Sequence, residues 1–258
     1  MRRAAAPRRP AAGRSARRVP LPRADWAYFF DIDGTLLDIA DAPTGVHLDH
    51  RLRELIEQLY RATGGAVALI SGRSIQDIDA MFDGVRLPVA GQHGTERRDA
   101  AARVTQHAPS ARALDEAYDR LAAAVAERPG LLVEHKGLSL ALHYRRAPRL
   151  AAFAHRLMRA ALSRVGEAYC VQTGKRVVEL KPAGRDKGGA VRDFMHEAPF
   201  RGRTPVFIGD DRTDEYGFAM VNRLRGHSIK VGPGRTAARW RLRDVAAVRA
   251  WLARMAAA

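Results

Sequence analysis

The sequence predicts an α/β fold: a doubly wound, Rossmann-like parallel sheet carrying an inserted α+β cap domain. Three observations lead to it. Short, continuous apolar runs alternate with stretches of helical period, as when strands are buried on both faces of a parallel sheet. Acidic or small residues follow those runs at once, where ligands settle in open α/β sheets. Between about residues 108 and 181 the alternation gives way to a strand-rich block with its own helices. The expected division is a disordered basic tail over 1–24, a core over 25–107 and 182–258, and a cap over 108–181.

The elements follow in order. WAYFFDID (26–33) is an apolar strand ending in acid. In the next segment Leu48, Leu52, Leu55, Ile56 and Leu59 recur at helical spacing, with Asp49 to cap the start and Gly64-Gly65 to end it. AVALI (66–70) is a second buried strand, and Ser74 with Asp77 marks the start of a short helix. LPVAG (87–91) is a third strand. In the middle block, residues 111–128 form an Ala-rich helix closed by Pro129-Gly130. LLVEH and LSLALHYR pair across a turn at Lys136-Gly137, a helix covers about 149–164, and YCVQTGKRVVELKP folds back around Thr173-Gly174. The first style then resumes, with a helix after Asp186, the strands TPVFIGDD and SIKVG, and a closing helix over 244–255. Consecutive strand–helix units imply right-handed crossovers.

Composition narrows the function classes. No run of about 18 apolar residues is present, so no membrane span is expected. One cysteine, Cys170, rules out an internal disulfide and fits a reducing compartment, which places the chain in the cytoplasm. The formal charge of +16 is uneven: residues 1–24 hold eight arginines and no acid, half of the excess. That Ala-, Pro- and Arg-rich stretch has no apolar periodicity and no secretory core. Without an aromatic stacking platform or a helix-turn-helix pattern, nucleic acid is an unfavoured partner.

Four clusters sit at strand ends or helix starts. They are Asp31-x-Asp33-Gly-Thr35, Ser71-Gly72-Arg73, Lys187, and Gly209-Asp210-Asp211-x-x-Asp214. Residues i and i+2 of a strand share a face, so Asp31 and Asp33 are expected at one site. Five carboxylates near a point repel one another unless a cation joins Lys187 among them. Phosphoryl transfer to a carboxylate uses these residue types. Asp31 attacks phosphorus, Asp33 protonates the leaving alkoxide and then activates water, Ser71 and Lys187 stabilise the phosphoryl oxygens, and Asp210 holds Mg²⁺. Gly72, Arg73 and His93 are expected beside the substrate. Glu134 and Lys136, two apart on one strand, can grip vicinal hydroxyls or form an ordinary ion pair. His143 is expected to be a residue of the cap sheet.

DIDGTLLD, ISGRS, RDKGGA and IGDDRTDE resemble the four motifs of the haloacid dehalogenase superfamily of phosphatases. AGQHGTERR, VEHKGLSLALHYR, VVELKP and FMHEAPFRGRTPVFIGDDRTDEYGF resemble the trehalose-6-phosphate phosphatases within it. The likeness spans roughly residues 26–255. It implies that Asp31 is the nucleophile and a Mg²⁺ ligand and Asp33 the acid and base, with Asp33 also giving Mg²⁺ a backbone carbonyl. It implies further that Asp211 and Asp214 support Asp210 and that Glu134, Lys136 and Glu179 grip the far sugar. The expected partners are a small sugar phosphate and, functionally, a trehalose-6-phosphate synthase, and the chain is expected to be a monomer. The four core motifs identify only the superfamily, so another sugar phosphate remains the alternative substrate.

Overall fold

The structure is a computed structural model that describes residues 18–39, 48–82, 85–107, 109 and 111–255. Most of the expected tail, residues 1–17, lies outside the described residues. Residues 18–24, assigned to that tail by sequence, are instead laid on the core. Val19 packs against buried apolar residues, and the Pro20 carbonyl accepts a 2.7 Å bond from Trp251 Nε1.

One sheet begins with β1 (Trp26–Phe30), β2 (Val67–Ile70), β3 (Val89–Gly91), β4 (Glu96–Arg98) and β5 (Val104–Gln106). A second takes β6 (Leu132–His135), β7 (Leu140–His143), β8 (Tyr169–Gly174) and β9 (Val177–Pro182). The chain returns to the first with β10 (Thr204–Gly209), β11 (His227–Val231) and β12 (Trp240–Leu242). The helices are α1 (His50–Ala62), α2 (Ile75–Phe82), α3 (Ala111–Val125) and α4 (Ala151–Val165). They continue with α5 (Lys187–Met195), α6 (Asp214–Arg223) and α7 (Val245–Ala253).

The large sheet has the order β12-β11-β10-β1-β2-β3-β4-β5, parallel from β12 to β3 and antiparallel through β4 and β5. β1 shows why its sequence is continuously apolar. Trp26, Tyr28 and Phe30 face one layer, made by α1, α2 and α7. Ala27 and Phe29 face the opposite layer, made by α5 and α6. A strand covered on both sides has no polar face. The helix starts are fixed by the expected caps: Asp49 accepts from Leu52 N–H and Asp186 from Gly189 N–H.

The four-stranded sheet has the order β6-β7-β9-β8, antiparallel throughout. Leu140, Leu142, Val178 and Leu180 on one face pack against α3 and α4. Glu134, Ala141 and Glu179 are register partners across three strands and form a row on the other face. Small Ala141 separates two glutamates that would otherwise be neighbours.

Several boundaries differ from expectation. α3 stops at Val125, and the β8–β9 turn falls at Lys175-Arg176, with Arg176 at φ 67°. β4, β5, β12 and α6 had no counterpart in the sequence reading. The three strands have three residues each, and β5 is fully exposed, so none carries a readable apolar period.

Candidate active site

Parallel pairing sets the ends of β2, β1 and β10 side by side, with Phe30 opposite both Leu69 and Ile208. Asp31, Ser71 and Asp210 leave those ends together. The Asp31 N–H donates to the Ile208 carbonyl at 3.0 Å, and the Ser71 N–H to that of Ala90 at 2.9 Å. Both chains are thus pinned at the residue that matters.

Beyond Asp31 the chain turns instead of continuing extended. The Ile32 carbonyl accepts from the N–H groups of Thr35, Leu36 and Leu37. Asp33 therefore reaches the same cavity from a turn, not from the shared strand face that i and i+2 spacing implied. Gly34 closes this turn at φ +86°, and a β-carbon there would sit 2.3 Å from Asp210 Oδ2. Only glycine meets both demands.

Lys187 starts α5 and is buried. Its Nζ donates to Asp31 Oδ1 and to Asp214 Oδ1, each at 2.7 Å. Thr35 Oγ1 lies 3.4 Å from the other Asp31 oxygen. Burial raises the Asp31 carboxyl well above its ordinary range, with Lys187 opposing and Asp214 and Asp210 adding. Burial also opposes charge on Lys187, but Asp214 and Asp31 outweigh it and raise the ammonium. Burial, then Asp214, push Asp210 up to about 6, while Lys175, 3.6 Å away, pulls it down.

Asp31, Asp210 and Asp214 each offer an oxygen within 4.8 Å of the others. At that spacing and an effective dielectric near 20, each pair repels by about 3–4 kcal/mol. Buried Lys187 and the exposed Lys175 cannot offset three such anions. Asp210 Oδ1 is also buried with no hydrogen-bond partner. An orphaned carboxylate oxygen among hard oxygen donors, without imidazole or thiolate, fits Mg²⁺. The converging carboxylates include Asp214, expected only as support, and exclude that of Asp33. The Asp33 carboxylate is held by Arg73 through two bonds of 2.7 and 2.6 Å, and this bidentate pairing turns it toward the Ser71 loop. Asp214 is also the least exposed of the acids. Its second oxygen accepts from the Asp211 N–H at 2.8 Å, which fixes the loop carrying Asp210.

The cavity above these residues holds about 460 Å³, within the range of small-molecule sites. Of the residues given a catalytic, substrate or metal role by sequence, all but Asp214 line it, including Asp33, Gly72, Arg73, His93, Lys136 and Asp211. Its other wall is the polar face of the small sheet. Glu134 and Lys136 do not pair with each other. Glu134 binds His143 at 2.7 Å, a diagonal cross-strand contact, so His143 belongs to the site as well as to the cap sheet. Lys136 Nζ donates to Glu179 Oε1 at 2.5 Å and to the Gly72 carbonyl at 3.1 Å, bridging the two walls. Burial opposes ionisation of Glu134 and Glu179, yet His143 and Lys136 respectively lead the groups that hold them below the usual carboxylate range.

Sequence reasoning missed Arg145 and Lys175, which also line the cavity. Each stands beside another cation, in Arg145-Arg146 and Lys175-Arg176, and nothing in the pattern separates the inward one from the solvated one.

Residues 29–246 match the family model described as Trehalose-phosphatase. The chain is 46% identical over 239 residues to the trehalose-6-phosphate phosphatase of Escherichia coli (strain K12), covering 91% of this chain and 88% of that one. It is 44% identical over 209 residues to a probable trehalose-phosphate phosphatase of Sinorhizobium fredii, covering 81% and 78%. Among solved structures, the C-terminal domain of the trehalose-6-phosphate phosphatase of C. albicans superposes with a TM-score of 0.81 at 22% identity. That match covers 91% of this chain and 93% of that domain, and speaks for the fold.

Proposed function

The chain belongs to the trehalose-phosphatase family, and from that premise we propose that it hydrolyses trehalose 6-phosphate to trehalose and phosphate. The observation that carries the proposal is the division of one cavity. Asp31, Asp33 and Lys187 stand on the floor, and Glu134, Lys136 and Glu179 stand on the opposite wall. A phosphate on the floor leaves room above it for a sugar facing donors and acceptors.

In this reading an Asp31 oxygen attacks phosphorus while the bond to the sugar oxygen breaks. Asp33 gives its proton to that leaving oxygen, then takes one from water as the water attacks the aspartyl-phosphate and regenerates Asp31. Lys187 and Ser71 stabilise charge on the phosphoryl oxygens. Arg73 holds both oxygens of the Asp33 carboxylate, so it must loosen its hold before Asp33 can reach the leaving oxygen. Asp31, Asp210 and Asp214 would hold Mg²⁺, which when bound neutralises the phosphate as it meets Asp31.

The setting we infer is cytoplasmic, in keeping with the single free cysteine and with no described helix long and apolar enough to cross a membrane. A monomer working beside a trehalose-6-phosphate synthase completes the reading. The test is phosphate release from a panel of sugar phosphates with Mg²⁺. Trehalose 6-phosphate should lead by kcat/KM, and a higher value for glucose 6-phosphate or another hexose phosphate would overturn the assignment.

A further inference from the structure

Gln92 and His93, just after β3, are consecutive non-glycine residues with left-handed backbones, at φ 46° and 58°. Such a pair persists only where the surroundings hold it, and strain of this kind gathers at functional sites. Both side chains are buried, and both reach across to the small sheet. Gln92 Oε1 accepts from Ser139 Oγ at 2.8 Å, and His93 Nε2 lies 2.5 Å from Glu179 Oε2. Gly72 makes room for the ring, since a β-carbon there would lie 2.8 Å from His93 Nε2. The His93 N–H is tied to the Ser71 carbonyl at 2.8 Å. His93 is thus anchored to the loop of the catalytic floor while it touches the cap wall.

Its protonation follows from its surroundings. Burial pulls the imidazole below its ordinary value, against the pull of Glu179. Nδ1 is buried without a partner. A bare lone pair of a neutral ring is cheaper to bury there than an unpaired N–H of a charged one. The proton therefore sits on Nε2 and is donated to Glu179.

We propose that His93 is a positioning residue: from the core it sets the Glu179 carboxylate for the far sugar and does not contact the sugar itself. The inference rests on the trehalose 6-phosphate reading. Glu179 Oε2 accepts from His93 and Oε1 from Lys136, and each oxygen keeps a lone pair for a hydroxyl. Without His93, Lys136 alone orients the carboxylate, and its flexible stem permits rotation.

The experiment compares His93→Ala, Glu179→Ala and the double variant on trehalose 6-phosphate and on a small aryl phosphate. Urea unfolding of the same proteins without metal accompanies the kinetics. His93→Ala should raise KM for the sugar phosphate about tenfold or more with kcat nearly kept, the pattern of lost ground-state binding. The aryl phosphate should change far less. In the Glu179→Ala background the same substitution should add under about twofold, because the two act as one unit. His93→Gln, which restores an N–H at similar reach, should recover part of the loss. Fully additive losses would make His93 a direct sugar contact, and equal losses on both substrates would assign it to the Ser71 loop. Either result, or no loss at all, overturns the proposal. A native chain inert on trehalose 6-phosphate would instead overturn the functional reading. The unfolding cycle then still decides the link, and zero coupling between His93 and Glu179 would refute it.

Discussion

On the floor of the cavity Asp31, Asp210 and Asp214 crowd around Lys187, with only the exposed Lys175 beside Asp210, whereas on the cap wall Glu134 and Glu179 are each hydrogen-bonded, to His143 and to Lys136. The two regions are built from the same residue types and differ in pairing. The floor is short of positive charge, and burial raises Asp31 and Asp210 in consequence. On the wall each glutamate has a hydrogen-bonded partner, and both are held low. A site short of positive charge suits ions that arrive, a phosphate and the proposed cation. A paired one suits a neutral sugar, which needs fixed donors and acceptors and brings no charge. The difference in pairing is the difference in ligand.

The strongest way to break this comparison is to remove the nucleophile. Asp31→Asn keeps the shape of the floor and removes the attacking oxygen anion. Turnover of every phosphate ester should fall by about 10⁴-fold or more, as when a covalent nucleophile is lost. Circular dichroism should show the fold intact. Substantial steady-state activity in the pure variant would refute the role of Asp31.

Next in size is the metal. Asp210→Asn removes a carboxylate from the converging set, and chelation with EDTA removes the ion itself. Each should lower kcat/KM by about 10²–10³-fold on both substrate types, the scale of one lost electrostatic group in a water-poor site. Full activity after exhaustive chelation would overturn the Mg²⁺ assignment, and better activity with Zn²⁺ would overturn the choice of ion.

The wall should respond differently. Glu134→Ala or Lys136→Ala should cost about 10²-fold in kcat/KM for trehalose 6-phosphate, through lost hydrogen bonds to charged groups. A small aryl phosphate should lose far less, since it lacks the sugar those residues face. Equal losses on the two substrates would erase the distinction between floor and wall.

Legibility in the sequence followed the same division. The floor was readable because its residues lie in short contiguous stretches at strand ends, where the backbone alone places them. Asp31, Ser71, Lys187 and Asp210 came together as expected. The partners were less readable. Asp33 and Arg73 are 40 positions apart and Glu179 and His93 are 86 apart, and no local pattern encodes such a contact. Of the two readings left open for Glu134 and Lys136, the ion pair between them does not form, for the same reason. Lys136 lies beyond the end of β6 in the turn, so the strand-face argument did not reach it. In the fold, buried strands with apolar runs were plain, while the three-residue strands β4, β5 and β12 depend on neighbours that a linear pattern does not show.

The smallest expected effect is also the sharpest test of the contrast, because it compares floor and wall in one protein without mutation. Asp210 ionises at about 6, raised from 3.8 by burial and by Asp214. A protonated carboxyl cannot ligate a cation, so affinity for Mg²⁺ is present above that value and is lost as pH falls through it. One such proton predicts about a tenfold loss between pH 7.5 and pH 5. The Lys136–Glu179 pair should hold over the same interval. Glu179 is depressed well below 4.5 and Lys136 is raised, so neither changes charge there, and trehalose affinity of the metal-free chain should fall by less than Mg²⁺ affinity. Calorimetric titrations of Mg²⁺ and of trehalose at the two pH values measure both quantities. Constant Mg²⁺ affinity would show that Asp210 is ionised throughout and that the floor is not short of positive charge. A parallel loss of trehalose affinity would show that the wall titrates with the floor, and the two regions would then be one electrostatic unit.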